Sequence, residues 1–192
     1  MSAEKPPRPI VKARRRVAAN SMFDIFFDHL VESPAREVVD FLVVQPKNKE
    51  PGGTSGVCVL PVVGDKFALV DCYRHPLAQM SLEAPKGFID SGETAPQAAM
   101  RELTEETGLA CSAEILIGLG TVAPEPGIVS GRAALFAALN CSGTLQVDPA
   151  EIGLAAVRLL GAAEIEAEIA AGSIQDAVTL LLLCRYHALR KG

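Results

Sequence analysis

The chain has 192 residues, 49% of them hydrophobic and 21% charged, which describes one globular unit large enough to bury a core and excludes a disordered tail, a fibre or a repeat array. Its net charge of −5 and pI near 5.3 argue against general nucleic-acid binding, which draws on many phosphate contacts. The charge is uneven: residues 1–16 hold six of the 18 basic side chains against one acidic one, leaving 12 basic and 22 acidic elsewhere, and an acidic body that handles phosphates needs metal cations.

In chain order, residues 1–16 read as a flexible basic tail, with Pro6, Pro7 and Pro9 and no periodicity. The Arg14–Arg16 run reads as a solvated edge. Residues 17–192 read as a single domain. Phe23–Val31 and Glu37–Val44 are rich in β-formers, and Pro51-Gly52-Gly53 marks a turn. Two strands follow, Val57–Val63 and Lys66–Tyr73, joined at the hairpin signal Gly64-Asp65.

A helix is predicted from Thr94, where Thr94 and Gln97 have capping-box spacing and Pro96 falls in the first turn, to Thr107, with Gly108 as its stop. Ala95, Ala99, Met100 and Leu103 give it an apolar stripe. Ile115–Val122, Ala133–Leu139 and Leu154–Leu160 read as strands. Two closing helices are predicted, Ala162–Ala171 ended by Gly172, and a buried one from Ile174 capped by Ser173. Strands and helices mixed in this order imply a sheet covered by helices.

No apolar run approaches the roughly 18 residues of a membrane span, and the N-terminus lacks the apolar core of a secretory signal. Cys58, Cys72, Cys111, Cys141 and Cys184 are widely spaced, with no CxxC pair for zinc or a redox dithiol. A cytoplasmic protein with reduced, mostly buried thiols is expected, with no membrane or nucleic-acid partner.

The chemistry concentrates in residues 87–109, GFIDSGETAPQAAMRELTEETGL. Glu102, Glu105 and Glu106 are related by i,i+3 and i,i+4 steps, so they project from one helix face. Three like charges near the negative end of a helix dipole repel, and a site for hard divalent cations explains them best. Glu93 could add a fourth carboxylate. Without histidine or cysteine, an all-oxygen Mg²⁺ or Mn²⁺ site fits better than zinc.

The stretch matches G-x₅-E-x₇-R-E-U-x-E-E-x-G-U, U being aliphatic, at Gly87, Glu93, Arg101, Glu102, Leu103, Glu105, Glu106, Gly108 and Leu109; a chance match is roughly one in ten million at ordinary residue frequencies. The sequence resembles the Nudix hydrolases. That resemblance implies an α/β/α sandwich around a mixed sheet and hydrolysis of a nucleoside diphosphate linked to a further group. It implies metal ligands at Glu102 and Glu106, a further ligand or base at Glu105, and a bracing arginine at Arg101, which on spacing alone is an i,i+4 partner of Glu105. It also implies a loop at Gly87 that turns the Lys86 carbonyl toward the metal.

The flanks resemble the ADP-ribose pyrophosphatase branch. Tyr73-Arg74-His75-Pro76 and Leu82-Glu83-Ala84-Pro85-Lys86-Gly87 resemble its upstream stretch, and Pro124-Glu125-Pro126-Gly127 with Arg132 and Phe136 resembles its downstream segment. By that resemblance Arg74, Glu83, Pro126 and Gly127 bind substrate, ADP-ribose is the expected substrate, and AMP and ribose 5-phosphate are the products. Two positions depart from the pattern: Cys72 stands where glutamine is expected, and Gly131 where an acidic residue is common. Members of this branch often take the catalytic base from a loop away from the helix, which makes Glu151, ahead of Asp148, the candidate base. They also use their first strands in a dimer, and the apolar Phe23, Ile25, Phe26 and Phe27 favour a homodimer built on residues 17–50. The alternatives are a pyrophosphohydrolase of (d)NTPs or oxidised nucleotides, and a Nudix-fold module that binds ADP-ribose without cleaving it.

Overall fold

Apolar side chains alternating along the middle of the chain decide the architecture. The computed structural model describes residues 8–191. Among them run twelve strands and three helices: β1 Ile10–Ala19, β2 Phe23–Ser33, β3 Arg36–Pro46, β4 Thr54–Val63, β5 Lys66–Arg74, β6 Gln79–Glu83, β7 Lys86–Phe88, α1 Ala95–Thr107, β8 Leu109–Ala110, β9 Leu116–Val122, β10 Arg132–Ala138, β11 Ser142–Gly143, β12 Leu154–Leu160, α2 Ala162–Ala171 and α3 Ala177–Lys191. The central sheet has the order β12-β5-β4-β10-β9, with β6 beside β5 and β7 beside β4. β10 runs parallel to β4, while the other pairings are antiparallel.

β4 is covered on both faces. Val57 and Val59 point to one side and pack with Ala98, Ala99 and Leu103 of α1; Cys58 and Leu60 point to the other and pack with Val178 and Leu182 of α3. A side-chain period of two on one strand therefore builds both hydrophobic layers of the expected α/β/α sandwich. α1 begins and ends where its capping residues predict. Gln97 Oε1 accepts the Thr94 amide at 2.9 Å, Pro96 sits in the first turn, and Gly108 closes the helix at φ 71°.

Three local expectations change. The last helix starts at Ala177, not Ile174, because Asp176 rather than Ser173 caps it: Asp176 Oδ2 accepts the Thr179 amide at 2.8 Å. This helix buries one stripe, Val178, Thr179, Leu182 and Tyr186, and is not buried all round. Residues 10–16, expected within a mobile tail, form most of β1; the expectation for residues 1–7 lies outside the described residues. The strand's basic side chains find cross-strand partners. Arg14 grips Asp28 with Nε and Nη2 at 2.8 and 2.7 Å, Arg16 pairs with Asp24, and Arg14 and Arg15 lie over the rings of Phe26 and Phe27.

β1, β2 and β3 form a separate antiparallel sheet. It joins the sandwich through the Phe23–Phe88 edge-to-face contact and a bridge from Val44 to Val129. No helix among the described residues is long and apolar enough to cross a membrane.

Leu103 is fully buried between α1 and the sheet. Leu103→Ala is expected to cost about 2–5 kcal/mol of unfolding free energy, measured by urea denaturation, because it loosens the helix that carries the carboxylates.

Candidate active site

α1 leans on the sheet through Ala98, Ala99 and Leu103, which leaves Glu102 and Glu106, one turn apart, directed at β7. Both glutamates are only 8% exposed. The Lys86 amide donates to Glu106 Oε2 at 3.0 Å. Pairing of Val59 with the Pro85 carbonyl and of Cys58 with Lys86 places the backbone amide and carbonyl of Lys86 on the side of β7 away from β4. The Lys86 carbonyl thus shares the side occupied by the Glu106 carboxylate.

Gly87 makes the close approach possible. A Cβ at this position would overlap the Glu102 carboxylate, so glycine is required here for space rather than for an unusual φ.

Burial pushes Glu102 upward from the usual carboxylate range. Burial, then the charge of Glu102, pushes Glu106 up to about 8. Two desolvated carboxylates with too little positive charge nearby, beside a backbone carbonyl, form an oxygen donor set suited to a hard divalent cation. Among the described residues, no three Asp, Glu, His or Cys side chains gather into a ready-made cage. The expected trio is instead a buried pair plus Glu105, which is turned toward Arg101.

Arg101 accounts for that difference. Its guanidinium donates to Glu93 from Nε and Nη2, each at 3.0 Å, to the Phe88 carbonyl at 2.8 Å, to Glu102 Oε1 at 2.7 Å and to Glu105 Oε2 at 2.9 Å. The i,i+4 pair with Glu105 is present, together with longer-range ties to Glu93 and the Phe88 carbonyl. Glu93, considered as a fourth ligand, is committed to Arg101 and to the Asp90 amide at 3.0 Å. It fastens the loop before α1 and does not point a free carboxylate at the pair.

Arg74 and Glu83, both expected to meet substrate, meet each other. Arg74 donates from Nε at 3.1 and 3.2 Å and from Nη2 at 2.6 Å. Lys86 Nζ adds contacts to Glu83 at 2.6 Å and to Asp176 at 2.7 Å. Burial would raise Glu83, but the hydrogen bonds from Arg74 and the charge of Lys86 outweigh it and lower its pKa to about 2.

The loop with Asp148 and Glu151 lies along the end of α1. The Gln146 amide donates to the Thr107 carbonyl and the Asp148 amide to the Glu105 carbonyl, both at 3.0 Å. The Glu151 charge is close enough to raise the pKa values of Glu102 and Glu106. Pro126 and Gly127 lie in an exposed loop tied to β3 by the Val44 amide to the Ile128 carbonyl at 2.7 Å and the Ser130 amide to the Val44 carbonyl at 3.0 Å.

Sequence reasoning missed Asp176 as a partner of Lys86, and Glu50, whose Oε1 accepts the Ala95 amide at 2.8 Å. Both act across long sequence separations, and no local spacing signals them.

The arrangement defines a class of protein. Residues 53–179 match the NUDIX domain, and the chain belongs to that family. A stretch of 93 residues is 33% identical to an ADP-ribose pyrophosphatase of Saccharomyces cerevisiae, covering 45% of this chain and 39% of that protein. Another of 97 residues is 32% identical to an ADP-ribose pyrophosphatase of Bacillus subtilis, covering 50% and 48%. The matched stretches thus span less than half the length of either relative. A crystal structure of an ADP compounds hydrolase superposes with a TM-score of 0.78 at 20% identity, over 96% of this chain and 95% of that one, which establishes the shared fold.

Gly87→Ala is expected to fold, because the obstructing atoms are the mobile end of Glu102, yet to weaken Mn²⁺ binding at least about tenfold in a titration without substrate. The raised pKa of Glu106 has a defined sign in linkage. Its stabilising contribution is complete below the unfolded value near 4.5 and is lost as pH rises through about 8. In EDTA, Glu106→Gln should therefore melt progressively higher than the parent as pH climbs from 5 to 9, by differential scanning fluorimetry.

Proposed function

We propose that this chain is a Mg²⁺-dependent hydrolase of nucleoside diphosphate sugars, with ADP-ribose cleaved to AMP and ribose 5-phosphate, acting in the cytoplasm as a homodimer. The observation that carries the reading is the buried Glu102–Glu106 pair facing the Gly87 cradle. The similarity to ADP-ribose pyrophosphatases supports the substrate class.

Glu102, Glu106 and the Lys86 carbonyl hold the cation, with Glu105 able to join when it leaves Arg101. Mg²⁺, or Mn²⁺, supplies neutralisation of the pyrophosphate oxygens and acidifies the attacking water. Arg101 keeps Glu102 and the Phe88–Glu93 loop in register. Glu151 takes the proton from the attacking water, its loop being tethered to the Glu105 and Thr107 carbonyls. Arg74 spends Nε and Nη2 on Glu83 and offers Nη1 to a phosphate or ribose oxygen; Glu83, fully ionised, fixes that direction. Pro126 and Gly127 border the substrate.

The second subunit completes the assembly through β1 to β3. Those strands leave Phe26, Phe27, Phe41 and Leu42 only half-buried, which favours a further surface against them.

Incubation with ADP-ribose, ADP-glucose, GDP-mannose, NADH and nucleoside triphosphates in Mg²⁺ tests the reading by product analysis. AMP and ribose 5-phosphate are expected from ADP-ribose. Glu106→Gln should lower kcat by more than about 100-fold, beyond the loss typical of an outer-shell partner, and Glu151→Gln by about 10²–10⁴. Pyrophosphate release from triphosphates alone would replace the substrate class, and tight ADP-ribose binding without turnover would make the chain a binding module.

A further inference from the structure

Cys111 and Cys141 are 30 positions apart in sequence and meet across a short ladder. β8 pairs with β11 antiparallel, Ala110 opposite Ser142 and Leu109 opposite Gly143. One step outward, continuation of the same register would set Cys111 opposite Cys141. Directly opposed residues of an antiparallel pair have Cα atoms about 4.5 or 5.5 Å apart, and both values lie inside the span of about 4.4–6.8 Å that a disulfide requires.

Each cysteine is held in place from a second direction. The Cys141 amide donates to the Val62 carbonyl at 2.8 Å, fixing it against β4, and the Cys111 thiol sits 3.6 Å from Met100 Sδ on α1. Cys111 packs against the buried cluster that contains Cys141, and the Cys141 thiol donates to the Ala138 carbonyl at 3.1 Å. Their accessibilities differ: Cys111 is partly open and Cys141 is buried.

We propose that Cys111 and Cys141 form a reversible disulfide that ties the foot of α1 to the strand leading into the Asp148–Glu151 loop. The oxidant is a hydroperoxide. The Cys111 sulfur attacks one peroxide oxygen, an S–O bond forms as the O–O bond breaks, and the thiol proton leaves with the alcohol. The Cys141 sulfur then attacks the sulfenic sulfur, the S–S bond forms as the S–O bond breaks, and the second proton leaves with hydroxide as water. Two thiols lose two electrons and the peroxide gains them. Partial access suits Cys111 to meet the oxidant and burial suits Cys141 to resolve it. Burial raises both thiols, Cys141 to about 11, so little thiolate is present near neutrality and the pair responds to sustained oxidant rather than to a brief pulse.

The test uses the full chain and its Cys184→Ser variant, which removes the exposed thiol. After prolonged hydroperoxide, unfolding in a thiol reagent should count two fewer free thiols in Cys184→Ser, and peptide mapping should find Cys111 linked to Cys141. Melting temperature should rise by about 5–10 °C, given the loop closed, and return with dithiothreitol. Cys141→Ser should yield no linked peptide while still folding. Recovery of Cys111 and Cys141 as separate alkylated peptides, or of Cys111 as a sulfinic acid beside a free Cys141, overturns the proposal. None of these readouts depends on hydrolysis of any substrate.

Discussion

Everything at the site turns on how negative charge is kept out of water on one face of α1. Glu102 and Glu106 are buried against β7 with one guanidinium and one backbone amide for company. Desolvating a carboxylate costs several kcal/mol unless charge or hydrogen bonds compensate, and the compensation here is incomplete, which is why Glu106 is displaced to about 8. Arg101 handles the rest of the cluster. Its five donors form a fixed planar fork, and they reach two glutamates of its own helix together with Glu93 and the Phe88 carbonyl of the preceding loop. The same side chain thus joins the loop to the helix and limits repulsion within the helix. The energy not recovered there is available to a cation.

A second polar network lies beside the first and connects both layers of the sandwich. Arg74 on β5, Glu83 on β6, Lys86 on β7 and Asp176 at the start of α3 form one chain of ion pairs. Asp176 also caps α3 through Thr179, whose hydroxyl in turn accepts the Ala84 amide at 3.1 Å. Lys86 therefore has its Nζ in this network and its amide on Glu106. The start of α3 and the Lys86 backbone that meets Glu106 are thus joined through a single residue. A partly exposed network of this kind adds little net stability, but it holds Glu83, its one buried member, and Arg74 against each other.

The most legible parts of the chain were those written in local spacing. Thr94, Gln97 and Gly108 mark the ends of α1 because capping depends on residues three or four apart, and strand periodicity located β4, β5, β10 and β12 to within a few residues. Arg101 and Glu102 were identifiable for the same reason. What escaped was decided by partners distant in sequence. β1 is exposed along its whole length, as a solvated edge should be, but that the run is a strand emerges only when Asp24, Asp28, Phe26 and Phe27 are placed opposite it. Lys86 carries no local sign that its ammonium lies between Glu83 and Asp176. The cap of α3 was misplaced by three residues because Ser173 and Asp176 are both good capping types, and only the amide of Thr179 distinguishes them.

Gly131 shows how the N-terminal sheet holds the 125–131 loop. By the resemblance to the ADP-ribose pyrophosphatase branch an acid is expected here, and glycine in its place looks from sequence like the deletion of a functional group. In the fold, a Cβ at 131 would lie 2.8 Å from Pro46 Cγ and would also overlap Ser55 Oγ. Ser55 can rotate, but Pro46 cannot, since its ring is fixed at the end of β3 and the Phe23–Pro46 pairing holds that end in the sheet. The 125–131 loop is in turn drawn onto β3 by its hydrogen bonds with Val44. A side chain at 131 would have to push the loop off β3 and would move Pro126 and Gly127 with it. The position of the 125–131 loop therefore follows from where β3 holds it.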